Sequence, residues 1–451
     1  MRDYLMLAFG IALAIAALRR PFYGALGWVL FSVMNPHRLT YGFAYNFPFA
    51  QLMVIVTIIG LVTGTDKKQY KGGMAASALI VLFLWAVLTT IFAFHPILAQ
   101  NYLERTGKSF LMALVLMLLV NSKRDVIMLV SVLALSLAFY GTKGGLFVLA
   151  TGGNYMVNGP PDSVMDGNNA LGVGLTMCIP LIYFLLNQTN HKWLRPGLIL
   201  VMVLCAVAVL GTYSRGAILA IVAMVVFLWL RSRKKLVIGL VTAVFLAVAV
   251  PNMPAQWTDR MNTMSASHEE DTSAMGRIYA WQTATNIAKD RFPLAGGFEW
   301  HGPDTSAKYS PAPDSAFVAH SIYFQVLGSQ GFIGLILFVT FWLMVYLQCG
   351  WLRKQCKNIP SRLWAHQFAS MAQVSLVGYA VGGAFLDLAF WDLPYYLFAA
   401  VAGTCFAIRQ DIAATANQIP QGLDAARALP PLQPVPALNA RPGPATRTSK
   451  P

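Results

Sequence analysis

Thirteen apolar runs follow one another through the first 408 residues, and they constrain the chain more than any other feature. They lie near 4–18, 22–34, 49–64, 76–94, 106–120, 125–142, 167–186, 197–211, 216–230, 236–250, 331–349, 364–385 and 388–408. A soluble core cannot absorb them: 57% of the residues are hydrophobic and 11% charged, where a soluble domain has roughly 25% charged. Much of this surface must face hydrocarbon, where each backbone polar group is satisfied within its own segment and helices are the natural form. The chain is read as an all-α polytopic membrane protein. Several runs are shorter than the roughly 20 residues of a full crossing, so their helices extend into flanking polar positions or do not cross.

The net charge of +15, from 33 Lys and Arg against 18 Asp and Glu, would suit nucleic acid if it were spread over one surface. It is gathered instead between apolar runs: Arg19 and Arg20; Lys67, Lys68 and Lys71; Lys123 and Arg124; Lys192 and Arg195; Arg231 to Lys235; Arg353, Lys354 and Lys357. This is the pattern of connections held on the cytoplasmic side, and no nucleic-acid partner is expected. With Arg231 to Lys235 as anchor, the clusters alternate onto one face. The first two runs break the parity, because Arg2 and the Arg19/Arg20 pair both favour the cytoplasm. A first run that dips in and returns would leave twelve crossings with both ends inside. It is read as retained rather than cleaved, since Arg-Arg-Pro-Phe and more apolar sequence follow it. Cys178, Cys205, Cys349, Cys356 and Cys405 fall in apolar runs or beside basic clusters, so no disulfide framework is indicated.

Four regions result: N-terminal spanning helices over 1–250, an outer loop over 251–317, C-terminal spanning helices over 318–408, and a tail over 409–451. The tail is rich in Ala, Pro, Arg, Thr and Ser and is expected to be disordered and cytoplasmic. On the outer face stand the segments Lys143 to Asp166, Gly211 to Gly216 and Pro251 to Phe317. In the last, Ala274, Ile278, Trp281, Thr285 and Ala288 recur at helical spacing and predict a helix over Ser273 to Asp290, with N-cap residues at Asp271 to Ser273. No nucleotide-binding loop, Asp-x-Asp pair or metal-ligand spacing occurs, so neither cofactor nor metal is expected.

Three residues invite chemistry. Arg215, in Gly-Thr-Tyr-Ser-Arg-Gly, lies in a tight outer turn with no acid nearby in sequence, which favours an anion site over a snorkelling anchor. Arg277 lies in the first turns of the predicted helix, where a cation opposes the helix dipole. Either a bound phosphate or a salt bridge to Glu269, Glu270 or Asp271 offsets this. His320 opens an apolar helix at the outer boundary, as a proton acceptor or as an ordinary capping histidine. Lys143, Tyr213, Ser214, Trp281, Arg291 and Ser321 are further candidates for phosphate or glycan contact, while Arg38, Arg105 and Lys308 would widen the positive field. His301 competes with His320 as base from a Gly- and Pro-rich setting.

The ordered set Tyr213-Ser214-Arg215-Gly216, Gly276-Arg277-Ile278-x-x-Trp281 and His320-Ser321 followed by Leu327-Gly328, Gly331 and Gly334 resembles the O-antigen ligase and O-antigen polymerase superfamily of membrane glycosyltransferases. Met34-Asn35-Pro36-His37-Arg38-Leu39-Thr40, with Thr151-Gly152-Gly153 and Gly159-Pro160-Pro161, further resembles the subgroup of ligases found beside exosortase systems. The resemblance covers about residues 1–408.

It implies a GT-C type glycosyltransferase of the bacterial inner membrane, with about twelve transmembrane helices and a large periplasmic loop region containing short helices. Its members move a glycan from undecaprenyl pyrophosphate to an acceptor, in ligases a sugar hydroxyl of lipid A-core, on the periplasmic face and without a metal. Carried over, Arg215 and Arg277 would bind the pyrophosphate and His320 would be the catalytic histidine, giving single displacement with inversion. An O-antigen polymerase and a protein O-oligosaccharyltransferase are the near alternatives. A lipid-linked saccharide transporter is disfavoured, because the charges gather at one face and the interior runs are nearly charge-free apart from Asp387 and Asp392.

Overall fold

Apolar runs flanked by short polar connections produce a bundle of long helices, each closing its own backbone hydrogen bonds. The computed structural model describes residues 1–63, 73–232, 234–262 and 272–427, the side chains of 272–273 and 417–427 excepted. Lys67, Lys68, Lys71, Arg233, the Glu269 to Asp271 group and the tail after Arg427 lie outside the described residues. Among those described there is no strand.

The helices are α1 (Arg2–Arg19), α2 (Pro21–Val33), α3 (Phe49–Thr63), α4 (Met74–Ile91), α5 (Pro96–Leu119), α6 (Lys123–Thr151), α7 (Asn168–Leu186), α8 (Leu194–Gly211), α9 (Arg215–Arg231), α10 (Lys235–Ala249), α11 (Ala255–Asn262), α12 (Thr272–Asp290), α13 (Pro303–Tyr309), α14 (Ile322–Cys356), α15 (Leu363–Gly383) and α16 (Asp392–Arg427). Residues Met1–Ile408 form one compact unit and Arg409–Pro451 a second, which holds the end of α16. Among the described residues seven stretches are long and apolar enough to cross a membrane, in α4, α6, α7, α8, α10, α14 and α16. The protein is a multi-pass membrane protein.

Contacts between connections define two ends of the first unit. At one end Tyr45 donates to Asp162 (3.0 Å), Phe94 N–H to the Gly296 carbonyl (2.8 Å), Val157 N–H to the Gly211 carbonyl (2.8 Å), and His320 meets Asp387 (3.0 Å). At the other, Arg20 pairs with the buried Asp125 at 2.5 Å and Gln188 bonds Gln367 at 2.7 Å. The described basic clusters fall at this second end. The first run does not dip and return. Asp3 Oδ1 accepts from the Gly42 and Ala44 amides at 3.0 Å at the first end, while Arg20, just past α1, reaches Asp125 at the second. As one unbroken helix of 18 residues, α1 is about 27 Å long. Its charges sit at opposite ends, which the preference of both for the cytoplasm did not anticipate.

Two further differences have local causes. The segment expected to leave the membrane at Lys143 stays helical to Thr151, because Gly144 and Gly145 let α6 close on its neighbours. A Cβ on Gly145 would stand 2.3 Å from the Leu204 carbonyl oxygen of α8. Helix α6 stops only at Gly152, with φ of 62°. The second difference is in α14, which is broken at Gly331 (φ 70°), where a Cβ would meet the Leu294 and Pro293 carbonyl oxygens at 2.8 and 3.0 Å. The loop 293–300 rests on this break through Gly296 N–H to the Gly328 carbonyl (3.0 Å) and Gly297 N–H to the Ser329 carbonyl (3.1 Å).

Candidate active site

His320 is the hinge of the site end. Its φ of 44° is left-handed, a conformation costing about 1–2 kcal/mol outside glycine, and its surroundings hold it there. Helix α12, found at Thr272–Asp290 close to the expected bounds, supplies Trp281, whose Nε1 donates to the Ala319 carbonyl at 2.7 Å. The Trp281 ring stacks on Phe324 of α14 at 4.8 Å. The connection between α15 and α16 supplies Asp387, with Oδ2 3.0 Å from His320 Nδ1. A carboxylate only accepts, so Nδ1 carries the hydrogen, and in the neutral imidazole Nε2 presents a lone pair. The imidazole is 51% exposed, open to a substrate. The other Asp387 oxygen, Oδ1, is buried without a hydrogen-bond partner.

The Arg215 turn is equally built. Tyr213 is left-handed (φ 57°), and its hydroxyl donates to the Gly153 carbonyl at 2.6 Å. Burial raises the pKa of that hydroxyl. Ser214 caps α9 by accepting from the Ala217 amide at 3.2 Å, and Asn168 Nδ2 donates to the Thr212 carbonyl at 2.7 Å. Tyr213, Ser214 and Asn168 thus shape the turn. Arg260 of α11 donates through Nε to the Tyr213 carbonyl at 3.0 Å, so a second guanidinium joins the turn that carries Arg215. Arginines beside a helix N-terminus concentrate positive potential where an anion can meet it.

Packing brings these surroundings together. A Cβ on Gly216 would stand 3.1 Å from Phe385 Cβ, on the connection that carries Asp387. A Cβ on Gly276, beside Arg277, would stand 2.8 Å from the ring of Phe317, three residues before His320. The neighbours of Arg215, Arg277 and His320 are therefore in contact at one end of the bundle. Ser321 is buried at the α14 N-cap, its carbonyl accepting from the Gln325 amide at 2.7 Å. Arg291 is turned elsewhere, donating to the Phe92 carbonyl at 2.7 Å with its guanidinium 4.5 Å from the Phe94 ring centre. Lys143 lies on the exposed side of α6. Lys308 pairs with Asp290 at 3.4 Å; hydrogen bonds from Tyr309 and Lys308 hold the Asp290 carboxyl below its usual range.

A cavity of about 330 Å³ opens beside the His320–Asp387 pair, with Asp387, Tyr102, Arg105, Gln325, Glu299 and His301 in its wall. Gln325 is fixed, donating to the Tyr102 hydroxyl and accepting from the Ala389 amide, both at 3.0 Å. Glu299, left-handed at φ 53°, stands 3.6 Å from His301. His301 therefore belongs to the wall of the cavity that Asp387 also lines. Asp387, Arg260 and Glu299 were not singled out as site residues by sequence. The available signal was Asp387 itself, a carboxylate in an otherwise apolar stretch. Among the described residues no three His, Cys, Asp or Glu side chains are grouped to hold a metal ion.

Fold and site together define a multi-pass membrane protein with a histidine–carboxylate pair at one end, where the turn before Arg215 and the helix carrying Arg277 also pack. Residues 200–339 match the family model for O-antigen ligase, a likeness that supports membership of the O-antigen ligase/polymerase family. The match takes in the Arg215, Arg277 and His320 motifs and ends before Asp387. Residues 1–190 match the model of a family of unknown function (DUF5935). No curated protein matches the chain.

Proposed function

We propose that this protein is an O-antigen ligase that moves a glycan from undecaprenyl pyrophosphate to a sugar hydroxyl of lipid A-core. The observation that carries this reading is the His320–Asp387 pair, 3.0 Å apart, with the Arg215 turn and the Arg277 helix packed at the same end. The acceptor oxygen attacks the anomeric carbon as His320 Nε2 takes its proton, and the bond to the pyrophosphate oxygen breaks with its electron pair leaving on the phosphate. Asp387 stabilises the imidazolium that forms. Arg215 and Arg277, with Arg260 behind the first, neutralise the departing pyrophosphate, so the reaction runs as a metal-independent single displacement with inversion. The cavity beside the pair is suited to the acceptor sugar. An apolar groove of about 760 Å³ between α6, α8 and α10 reaches Gly153, whose carbonyl anchors Tyr213, and suits a polyprenyl tail. The basic end is taken as cytoplasmic, which puts the site on the periplasmic face of the inner membrane.

The test combines purified protein, a defined undecaprenyl-pyrophosphate glycan, rough lipopolysaccharide and a chelator. The lipopolysaccharide is expected to gain mass, and His320→Ala and Arg215→Ala to abolish the gain. Transfer that survives His320→Ala overturns the assignment, and a covalent glycosyl-enzyme overturns single displacement. Chain growth without lipopolysaccharide identifies a polymerase instead.

A further inference from the structure

Far from this site, two arginines converge without an acid. Arg231, the last residue of α9, donates through Nη1 to Gln373 Oε1 at 2.5 Å, and Arg353 of α14 donates through Nη1 to the same oxygen at 3.0 Å. Gln373 is buried on α15 and is fixed by donating its own Nε2 to the Tyr346 carbonyl at 2.9 Å. Arg231 Nη2 donates to the Tyr346 hydroxyl at 2.8 Å. Among the described residues neither guanidinium has a carboxylate within ion-pair distance, and Arg353 Nε is buried with no hydrogen-bond partner. One neutral amide oxygen thus gathers two like charges at the end of the bundle that also carries Lys234, Lys235, Lys354 and Lys357. Like charges drawn together near hydrocarbon require a counter-charge.

The shape of that counter-charge is given by what adjoins it. A groove of about 290 Å³ begins at Tyr346 and runs between α14 and α15, past Leu343, Trp342 and Phe338 toward Ala380. Apart from tyrosine hydroxyls and the Trp342 indole N–H its lining is apolar. One tyrosine therefore closes both features: its hydroxyl receives Arg231, and its ring starts the groove. A diffusible anion would use only the first. A molecule with a negative head and a hydrocarbon tail uses both, with the head at the basic end and the tail directed toward the membrane centre.

We propose that Arg231, Arg353 and the α14/α15 groove form a binding site for an anionic phospholipid of the basic-end leaflet, its phosphate between the guanidinium groups and one acyl chain along the groove. The two arginines lie at the end of the bundle opposite His320, so the lipid head is remote from the glycan chemistry, and the groove runs from them to Ile322 and Tyr323 at the start of α14. The site ties α9, α14 and α15 together through the lipid.

The experiment uses full-length protein in detergent, with native mass spectrometry and thermal melting after adding phosphatidylglycerol, phosphatidylcholine or inorganic phosphate. Wild type is expected to retain phosphatidylglycerol at least about tenfold better than phosphatidylcholine and to melt higher with it. Arg231→Gln/Arg353→Gln is expected to lose that preference, and Arg231→Lys/Arg353→Lys to keep most of it. Val339→Phe, which fills the groove and leaves the arginines in place, is expected to weaken retention and serves if the Gln variant does not fold. Equal retention of the two lipids, an unchanged preference in the Gln or Phe variants, or the same thermal shift from inorganic phosphate alone overturns the proposal.

Discussion

Replacing Asp387 by Asn probes the step on which the chemistry turns. In the proposed transfer His320 takes a proton at Nε2 and becomes a cation whose Nδ1 faces Asp387 Oδ2 at 3.0 Å. At that distance two unit charges attract by about 1.4 kcal/mol in water and about 5.5 kcal/mol near a protein surface. Because the imidazole is 51% exposed and Asp387 23%, the effective value belongs to the lower half of that interval, about 2 kcal/mol. Asn removes the charge and can turn its amide N–H toward Nδ1, which would move the ring hydrogen to Nε2 and leave no base. The charge alone predicts a fall in kcat of about thirtyfold. Since the imidazolium forms only as the reaction proceeds, kcat and kcat/KM are expected to fall together with KM for donor and acceptor unchanged. The assay is initial-rate transfer to rough lipopolysaccharide by purified Asp387→Asn protein with a wild-type melting temperature. A kcat within about twofold of wild type, or a raised KM with kcat intact, would refute the pairing as a catalytic feature.

Arg260→Gln removes the second guanidinium from the Tyr213 carbonyl and is expected to lower kcat/KM for the donor about tenfold; titrating donor at fixed acceptor checks this, and an unchanged kcat/KM contradicts it. Gly331→Ala puts a Cβ 2.8 Å from the Leu294 oxygen at φ 70°, and a detergent thermal melt should show a loss of at least about 1–2 kcal/mol. Arg20→Gln leaves Asp125, 1% exposed, as a buried unpaired charge and should cost about 3 kcal/mol, read by the same melt. Burial, with Arg38 alongside, lowers the His37 pKa from its ordinary 6.5 to about 4. Between those values the unfolded chain binds a proton that the folded chain does not, so stability falls as pH drops from 6.5 toward 4 and is constant outside that window. His37→Gln should flatten this part of the melt profile, and an unchanged slope would show that another group causes it.

What the sequence made legible was whatever depends on local pattern. The apolar runs locate the long helices, the basic clusters identify one end, and the spacing of Ala274, Ile278 and Trp281 gives α12 nearly to the residue. The glycines after His320 were visible as a motif, and their purpose is the rest for loop 293–300 at Gly328 and Gly331. What escaped depends on partners distant in the chain. Asp387 was visible as an odd charge in an apolar stretch, but its role comes from packing 67 positions away against His320. Arg260 sits on the short helix α11 outside the long apolar runs and acquires meaning only from its bond to Tyr213. Continuation of α6 past Lys143 was hidden because a Lys-Gly-Gly sequence reads as a loop unless the neighbouring helix that needs those glycines is known. Tyr213 and Ser214 looked like ligand contacts because a motif marks both those that touch substrate and those that shape the turn.

In the proposed reaction one end of the bundle holds a diphosphate between Arg215 and Arg277 with His320 in line with the anomeric carbon. A structure of the protein with a non-transferable undecaprenyl-pyrophosphate glycan measures this directly. Both phosphates are expected on those two guanidinium groups, with His320 Nε2 facing the sugar and separated from the anomeric carbon by the space for one acceptor oxygen. Phosphates seated at the Arg231/Arg353 end, or a sugar lying away from the imidazole, would contradict that arrangement.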